Sequence, residues 1–395
     1  MKRIYMDYAS TTPLDPRVGK VMEPFFTKSF GNPSSIHAEG VVAKKALDNA
    51  RTNVARCLEA HADEIVFTSG GTEANNLAIF GVVNFFTRSD LVKPHIVTTN
   101  IEHSSVLEPL KELERKGRAE VTYVPVEENG IVKAENILSA IHPNTVLISV
   151  QYANNEIGTI QPIRKIGQLL SSVKGQRSKV KGREKVYPLF HVDACQAPLY
   201  LRCLVNALGV DLLTLDAHKI YGPKGVGALY VRRGTPLSPI LLGGGQERGL
   251  RSTTENIPAI VGFAEALRIA TTEREKESLR IGKLRDQLHS DILQNVGMTK
   301  VIFNGDIKER LPNNLNISFF GVDTEFLTLR LDAEGIAVST KSSCLKDEKE
   351  SYVVSALGGT KERARCSLRF TLGRFTTKKE IERCARVLST LLRQA

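Results

Sequence analysis

At 395 residues and 42% hydrophobic side chains, the chain is too long for one small core and predicts two domains, or one large and one composite. No apolar run approaches a membrane span, and MKRIYMDYASTTP opens with basic residues but no apolar stretch behind them, so neither a membrane segment nor a secretory signal is expected. The net charge of +11 is not gathered into a nucleic-acid-binding module. Only VKGQRSKVKGREK, residues 173–185, is locally basic, and it reads as a solvated loop between a helix and a strand. Direct nucleic-acid binding is therefore not expected. Six cysteines (57, 195, 203, 344, 366 and 384) form no CxxC pair, a reduced, cytoplasmic pattern with no disulfide frame and no metal site.

In chain order, the apolar residues Val42, Ala46, Leu47, Ala50, Val54 and Leu58 predict one face of a helix over 41–58. Strand-like runs then recur: EIVFTS (64–69), HIVTT (95–99), VTYVPV (121–126), TVLISV (145–150), LFHVD (189–193), DLLTLD (211–216) and GALYV (227–231). They are apolar on both faces, β-branched and separated by helix-length segments. That pattern predicts a mostly parallel seven-stranded sheet covered on both sides, an α/β architecture. After GGGQERGLRSTTENIP a long helix begins near Ile257 and runs toward residue 294. Shorter strands (VIFNG, NLNISFF, IAVST, CSLRFTL) and the amphipathic KKEIERCARVLSTLLRQ follow, predicting a smaller α+β domain. The expected division is 16–258 for the large domain, with 1–15 and 259–395 forming the small one.

Ligands of open α/β sheets collect at the carboxyl ends of the strands, so polar groups just after strands are the candidates. FTSGGTEANNLAI offers the turn at Gly71 and the Thr72 hydroxyl to an anion, most simply a phosphate. TTNIEHSSV places His103 after a strand, SVQYANNEIG places Asn154, and FHVDACQA places Asp193 and Gln196. DAHKIYGPKGVGALYV sets His218 and Lys219 between a strand and a glycine-rich turn. A phosphate-bearing aromatic cofactor that joins a lysine through its carbonyl satisfies this combination, and pyridoxal 5′-phosphate is such a cofactor. Lys219 would hold it, Asp193 would keep its ring nitrogen protonated, His103 would lie against the ring, and Gln196 and Asn154 would bond its phenolic oxygen side.

These residues, together with YMDYASTTPLDPRV, FGNPSSIHAEG, GGGQERGLRSTTEN, SYVVSALG and SLRFTLGRFTT, resemble the class V aminotransferase family along nearly the whole chain. More narrowly, they resemble its cysteine desulfurases of the NifS/IscS type. The resemblance implies the type I aminotransferase fold and a homodimer in which Thr254 reaches the neighbouring subunit's phosphate site. It also implies Lys219 as cofactor-binding lysine and proton shuttle, His103 as acid/base, and Gly71, Thr72 and His218 on the phosphate side. Arg369 would then grip the substrate carboxylate, as a planar guanidinium fork can. Cys344, in VSTKSSCLKDEKESYVV, is surrounded by polar residues, unlike a core cysteine, and Lys341 and Lys346 would favour its thiolate.

The implied reaction removes sulfur from L-cysteine, giving L-alanine and a Cys344 persulfide. A sulfur-acceptor protein of iron–sulfur cluster assembly or tRNA thiolation would collect it. A selenocysteine lyase, a small-amino-acid aminotransferase and a weakly catalytic assembly scaffold are the alternatives. The chain departs from the family in three places. Asp216 stands where a phosphate-binding hydroxyl is usual, Gln246 replaces a histidine, and the loop after Cys344 is shorter and carries KDEKE.

Overall fold

The computed structural model of the protein describes residues 3–87, 93–174, 179–180, 183–184, 188–296, 301–340 and 350–394. The seven predicted strands form one sheet: β1 (Ile65–Thr68), β2 (His95–Thr99), β3 (Glu120–Val124), β4 (Thr145–Gln151), β5 (Leu189–Asp193), β6 (Leu212–Asp216) and β7 (Gly227–Val231). Their spatial order is β1-β7-β6-β5-β4-β2-β3. β7 runs antiparallel to both neighbours, while the pairings among the other strands are parallel. The sheet is therefore mostly parallel, as its doubly apolar strands predict.

Alternate residues of each strand feed two different cores. Phe67, Val97, Ile148 and Leu213 pack with Leu47 and Val54 of helix Ala38–Leu58 and with Phe263. Val66, Ile96, Leu147 and Leu212 pack on the other face against Leu77 and Val82 of helix Gly71–Phe86 and Leu110 of helix Ser104–Arg115. Each such fully buried side chain contributes about 1.5–3 kcal/mol relative to exposure. The predicted face of helix 41–58 needs one correction. Val42 is exposed and Ala43 is buried in its place, because the sheet receives the row through Ala43, Leu47, Ala50 and Val54.

Helix Ile257–Val296 joins two cores. Ile260, Phe263 and Leu267 belong to the sheet core, whereas Ile281, Leu288 and Ile292 belong to a third cluster. That cluster covers a three-stranded antiparallel sheet of Val301–Phe303, Asn314–Phe319 and Ser367–Thr371. Helix Lys378–Leu392 packs there through Ile381, Cys384 and Leu388, and it begins at a capping box between Thr377 and Glu380. The chain start belongs here too, since Ile4–Tyr5 pairs in parallel with Ile336–Ala337. Within the basic 173–185 stretch, read from sequence as a loop, Lys179–Val180 pairs antiparallel with Arg183–Glu184. No helix among the described residues is long and apolar enough to cross a membrane.

Candidate active site

The parallel strands end on one edge of the sheet, and their carboxyl ends surround a cavity of about 200 Å³. Its lining holds nine of the residues singled out in the sequence: Gly71, Thr72, His103, Asp193, Gln196, Asp216, His218, Lys219 and Arg369. Three requirements of chain geometry bring them there. β1 turns through Ser69 and Gly70 into the helix starting at Gly71, β5 ends at Asp193, and β6 passes into the 3₁₀ turn Ala217–Lys219.

Asp193 is 7% exposed and is held from both sides. Its Oδ1 accepts the Cys195 backbone N–H at 3.0 Å and its Oδ2 accepts the Asn75 amide at 2.8 Å. His103 caps helix Ser104–Arg115: its Nδ1 accepts the Ser105 N–H at 3.1 Å and lies 2.8 Å from the Ser105 hydroxyl. Beside it, burial pushes the Glu102 carboxyl up to about 8, with Oε1 accepting the Thr99 hydroxyl at 2.5 Å. Cys195 also lines the cavity, but burial and then the charge of Asp193 push its thiol well up, which disfavours its thiolate.

Lys219 sits across the cavity, its Nζ donating to the carbonyls of Ala9 (2.8 Å) and Ser10 (2.6 Å). Gln196 Nε2 donates to the same Ala9 carbonyl at 3.0 Å, and Thr11 Oγ1 meets His218 Nδ1 at 3.1 Å. Residues 7–12 thus form one wall. That wall also holds Arg369, which is 1% exposed on strand Ser367–Thr371. Its Nη2 donates to Asp7 Oδ1 (2.7 Å) and Ser10 Oγ (2.9 Å), its Nη1 donates to the Asn155 carbonyl (3.0 Å), and its buried Nε has no partner among the described residues.

Asp216 caps two backbone segments at once. Oδ2 accepts the Gly71 N–H at 2.8 Å, Oδ1 accepts the His218 N–H at 3.2 Å, and His218 Nε2 lies 3.4 Å from Oδ2. Burial acts to raise this carboxyl, but the His218 hydrogen bond and charge, the Gly71 N–H and Lys219 together hold it below the ordinary carboxylate range.

Three sequence candidates fall elsewhere. Asn154 is fully buried outside the lining, its Nδ2 donating to the Ile101 carbonyl (3.0 Å) and its Oδ1 accepting the N–H groups of Glu156 and Ile157. Ala153 and Asn155 flank it on the cavity wall instead. Thr254 is exposed and also outside the lining. Cys344, with Lys341 and Lys346, lies outside the described residues. The flanks of that segment are described. Ser339 pairs through its backbone with Arg369, Ser351 donates to Glu156 (2.6 Å), and the Tyr352 hydroxyl donates to the Glu102 carbonyl (2.5 Å).

Sequence reading passed over Asp7, Ser10, Asn75 and Ser105. Asn75 left a signal: it shares a helical face with Gly71, Ala78 and Val82, all buried, so a polar amide stands where an apolar side chain is expected.

The donor set fits pyridoxal phosphate. Helix Gly71–Phe86 begins at Gly70, which has no side chain to cap it; Asp216 takes the Gly71 N–H, leaving the Thr72 and Glu73 amides of the first turn for an anion. Gly71 keeps this floor open, since a Cβ there would lie 2.5 Å from Cys195 Sγ. An amine and an acceptor carboxylate, Lys219 and Asp193, share the same cavity.

Comparison with known proteins agrees along the whole chain. The aminotransferase class-V family profile matches residues 4–384. A cysteine desulfurase IscS of Dictyoglomus turgidum is 44% identical over 99% of this chain and 95% of its own length. One from Methylobacillus flagellatus is 46% identical over 96% of this chain and 89% of its own. The solved structure of a NifS-like protein superposes with a TM-score of 0.90 at 36% identity, covering all of both chains. Another, described as SspA in complex with cysteine, gives 0.78 at 34% identity over 95% of this chain and all of its own. The chain belongs to the class-V aminotransferase family.

Proposed function

We propose that the protein is a pyridoxal-phosphate-dependent cysteine desulfurase, which takes sulfur from L-cysteine, releases L-alanine and keeps the sulfur as a persulfide. The observation that carries this reading is the single cavity that gathers the Lys219 amine, the Asp193 carboxylate, the His103 ring and the Arg369 guanidinium from distant parts of the chain. The full-length likeness to cysteine desulfurases selects the reaction within the family.

Bound pyridoxal phosphate supplies an electron sink that makes the substrate Cα–H acidic. In our reading the Gly71 turn, Thr72 and His218 take the phosphate side, Gln196 the phenolic oxygen side, and Asp193 the ring nitrogen. Arg369 binds the substrate carboxylate with a guanidinium pre-aimed by Asp7 and Ser10. Lys219 holds the cofactor and then moves the Cα proton, and His103 serves as the second acid/base group. The Cys344 thiolate attacks the substrate sulfur. A sulfur–sulfur bond forms, the Cβ–S bond breaks with its electron pair left on carbon, and protonation there completes alanine. Storing sulfur covalently separates C–S cleavage from delivery. Transamination would need no such thiol, which is why the aminotransferase reading ranks below.

The persulfide then passes to an acceptor protein of iron–sulfur cluster assembly or tRNA thiolation, in the cytoplasm. A homodimer is part of the proposal, with Thr254 completing the partner subunit's phosphate site. Large exposed apolar side chains concentrated between residues 26 and 42 (Phe26, Phe30, Ile36, Val41, Val42) support such an interface.

Borohydride reduction tests the cofactor assignment. It should abolish the visible absorption band and leave the cofactor mass on the Lys219 peptide, with no adduct in Lys219→Ala. A purified protein that takes up no pyridoxal phosphate would sink the reading.

A further inference from the structure

Behind the cavity wall, one buried amide touches two of the groups assigned to the chemistry. Asn75 is 0% exposed, and its Nδ2 lies 2.8 Å from Asp193 Oδ2 and 2.8 Å from Ser105 Oγ. An amide nitrogen carries two protons and no acceptor, so both contacts are donations and both protons are used. The reverse orientation would press Oδ1 against a carboxylate oxygen, so Asp193 fixes which way the amide faces.

The consequence passes to Ser105. Its oxygen already accepts from Asn75, which directs its own hydroxyl proton to His103 Nδ1, 2.8 Å away. The Ser105 backbone N–H converges on the same nitrogen at 3.1 Å. A ring nitrogen facing two donors holds no proton, so the proton of the neutral imidazole sits on Nε2. Asn75 Oδ1, by contrast, is buried with no partner among the described residues. An apolar side chain of similar size would avoid that cost, so the amide is present for its donors.

We propose that Asn75 is a positioning residue of the reaction: its one NH₂ group steadies the Asp193 carboxylate and, by committing the Ser105 hydroxyl proton to Nδ1, adds a second donor to the backbone N–H that fixes the His103 tautomer. The proposal rests on the roles assigned above to Asp193 and His103. It joins the carboxylate that would partner the ring nitrogen to the acid/base histidine by donors alone, with no titrating group between them.

The test compares holoenzyme of the parent, Asn75→Leu and Ser105→Ala by three readouts. Nitrogen NMR of labelled histidine, with His103 assigned by its disappearance in His103→Gln, should show an unprotonated Nδ1 in the parent and a displaced Nδ1 resonance in both variants, which lose the committed hydroxyl donor and keep the backbone N–H. The pH midpoint of the bound cofactor's visible band should move by about half a unit or more in Asn75→Leu, which strips a donor from Asp193, and stay put in Ser105→Ala, which does not. In both variants kcat should fall about tenfold with KM for L-cysteine within about twofold, since Arg369 is untouched. If Asn75→Leu does not fold, Ser105→Ala decides through the His103 signal. An unchanged His103 Nδ1 resonance in Ser105→Ala, or an unchanged midpoint and kcat in a folded Asn75→Leu, overturns the proposal. A parent that binds no cofactor defeats the functional reading instead, and the histidine signal still judges the hydrogen-bond chain.

Discussion

Replacing Asp216 by serine tests how this chain handles an extra negative charge beside its anion site. The carboxylate gives the first turn of helix Gly71–Phe86 its side-chain acceptor, through the Gly71 N–H at 2.8 Å. Losing such a cap costs about 1 kcal/mol, or up to about 2 in a partly buried setting. The same charge opposes a phosphate held at that helix end. At ~4 Å and an effective dielectric near 20, like charges repel by about 4 kcal/mol, an upper bound before relaxation. His218, 3.4 Å from Oδ2, offsets part of this. The His218 hydrogen bond and charge and the Gly71 N–H hold the carboxyl below its ordinary value, which works against its sharing a proton with the phosphate. The two effects have opposite signs in two assays. Cofactor-stripped Asp216→Ser should unfold at lower denaturant, losing about 1–2 kcal/mol. Its holoenzyme should retain pyridoxal phosphate equally or up to about tenfold more tightly, read by visible absorbance after dilution, with activity within a few-fold. A serine variant that loses cofactor faster than the parent would refute this, and would make Asp216 a required organiser of the phosphate site.

Arg369→Lys keeps a cation beside Asp7 but loses the planar fork, and should raise KM for L-cysteine about ten- to a hundredfold with a smaller change in kcat. An unchanged KM would make Arg369 a structural partner of Asp7 only. Glu102 is fully buried with its carboxyl pushed up to about 8, so the fold holds a proton there that the unfolded chain releases above about 4.5. The contribution is therefore complete below pH 4.5 and is lost as pH rises to about 8, at about 1.4 kcal/mol per unit. Glu102→Gln should remove that slope from a denaturation series across this window. Parallel pH profiles of parent and variant would show that Glu102 is ionised in the fold.

Strand patterns were the most legible feature of the chain. β5 and β7 fall on the residues read from LFHVD and GALYV, because strands buried on both faces leave continuous apolar runs. Polar residues after strands located the cavity for the same reason, as the sheet topology carries those ends to one edge. What escaped depends on contacts between distant segments. Arg369 meets Asp7 across 362 positions and Gly71 meets Asp216 across 145, and no local periodicity encodes either. Asn154 and Asn155 are indistinguishable as letters. Only the turn, closed by Asn154 on Glu156 and Ile157, leaves the neighbour on the wall. Val42 failed as a core residue because helix Ala38–Leu58 carries a second apolar strip. Val42 lines a surface groove with Val21 and Phe25 instead of meeting the sheet.

The central claim is that sulfur leaves L-cysteine onto this chain's own thiol, and single-turnover incubation with L-cysteine tests it most directly. Alanine should form in step with one added sulfur on the Cys344 peptide. Cys344→Ser should bind cofactor and substrate, yet form neither persulfide nor free sulfide at an appreciable rate. Parent-level sulfide release from Cys344→Ser, or alanine formed with no sulfur on Cys344, would contradict the account and leave a simple lyase in its place.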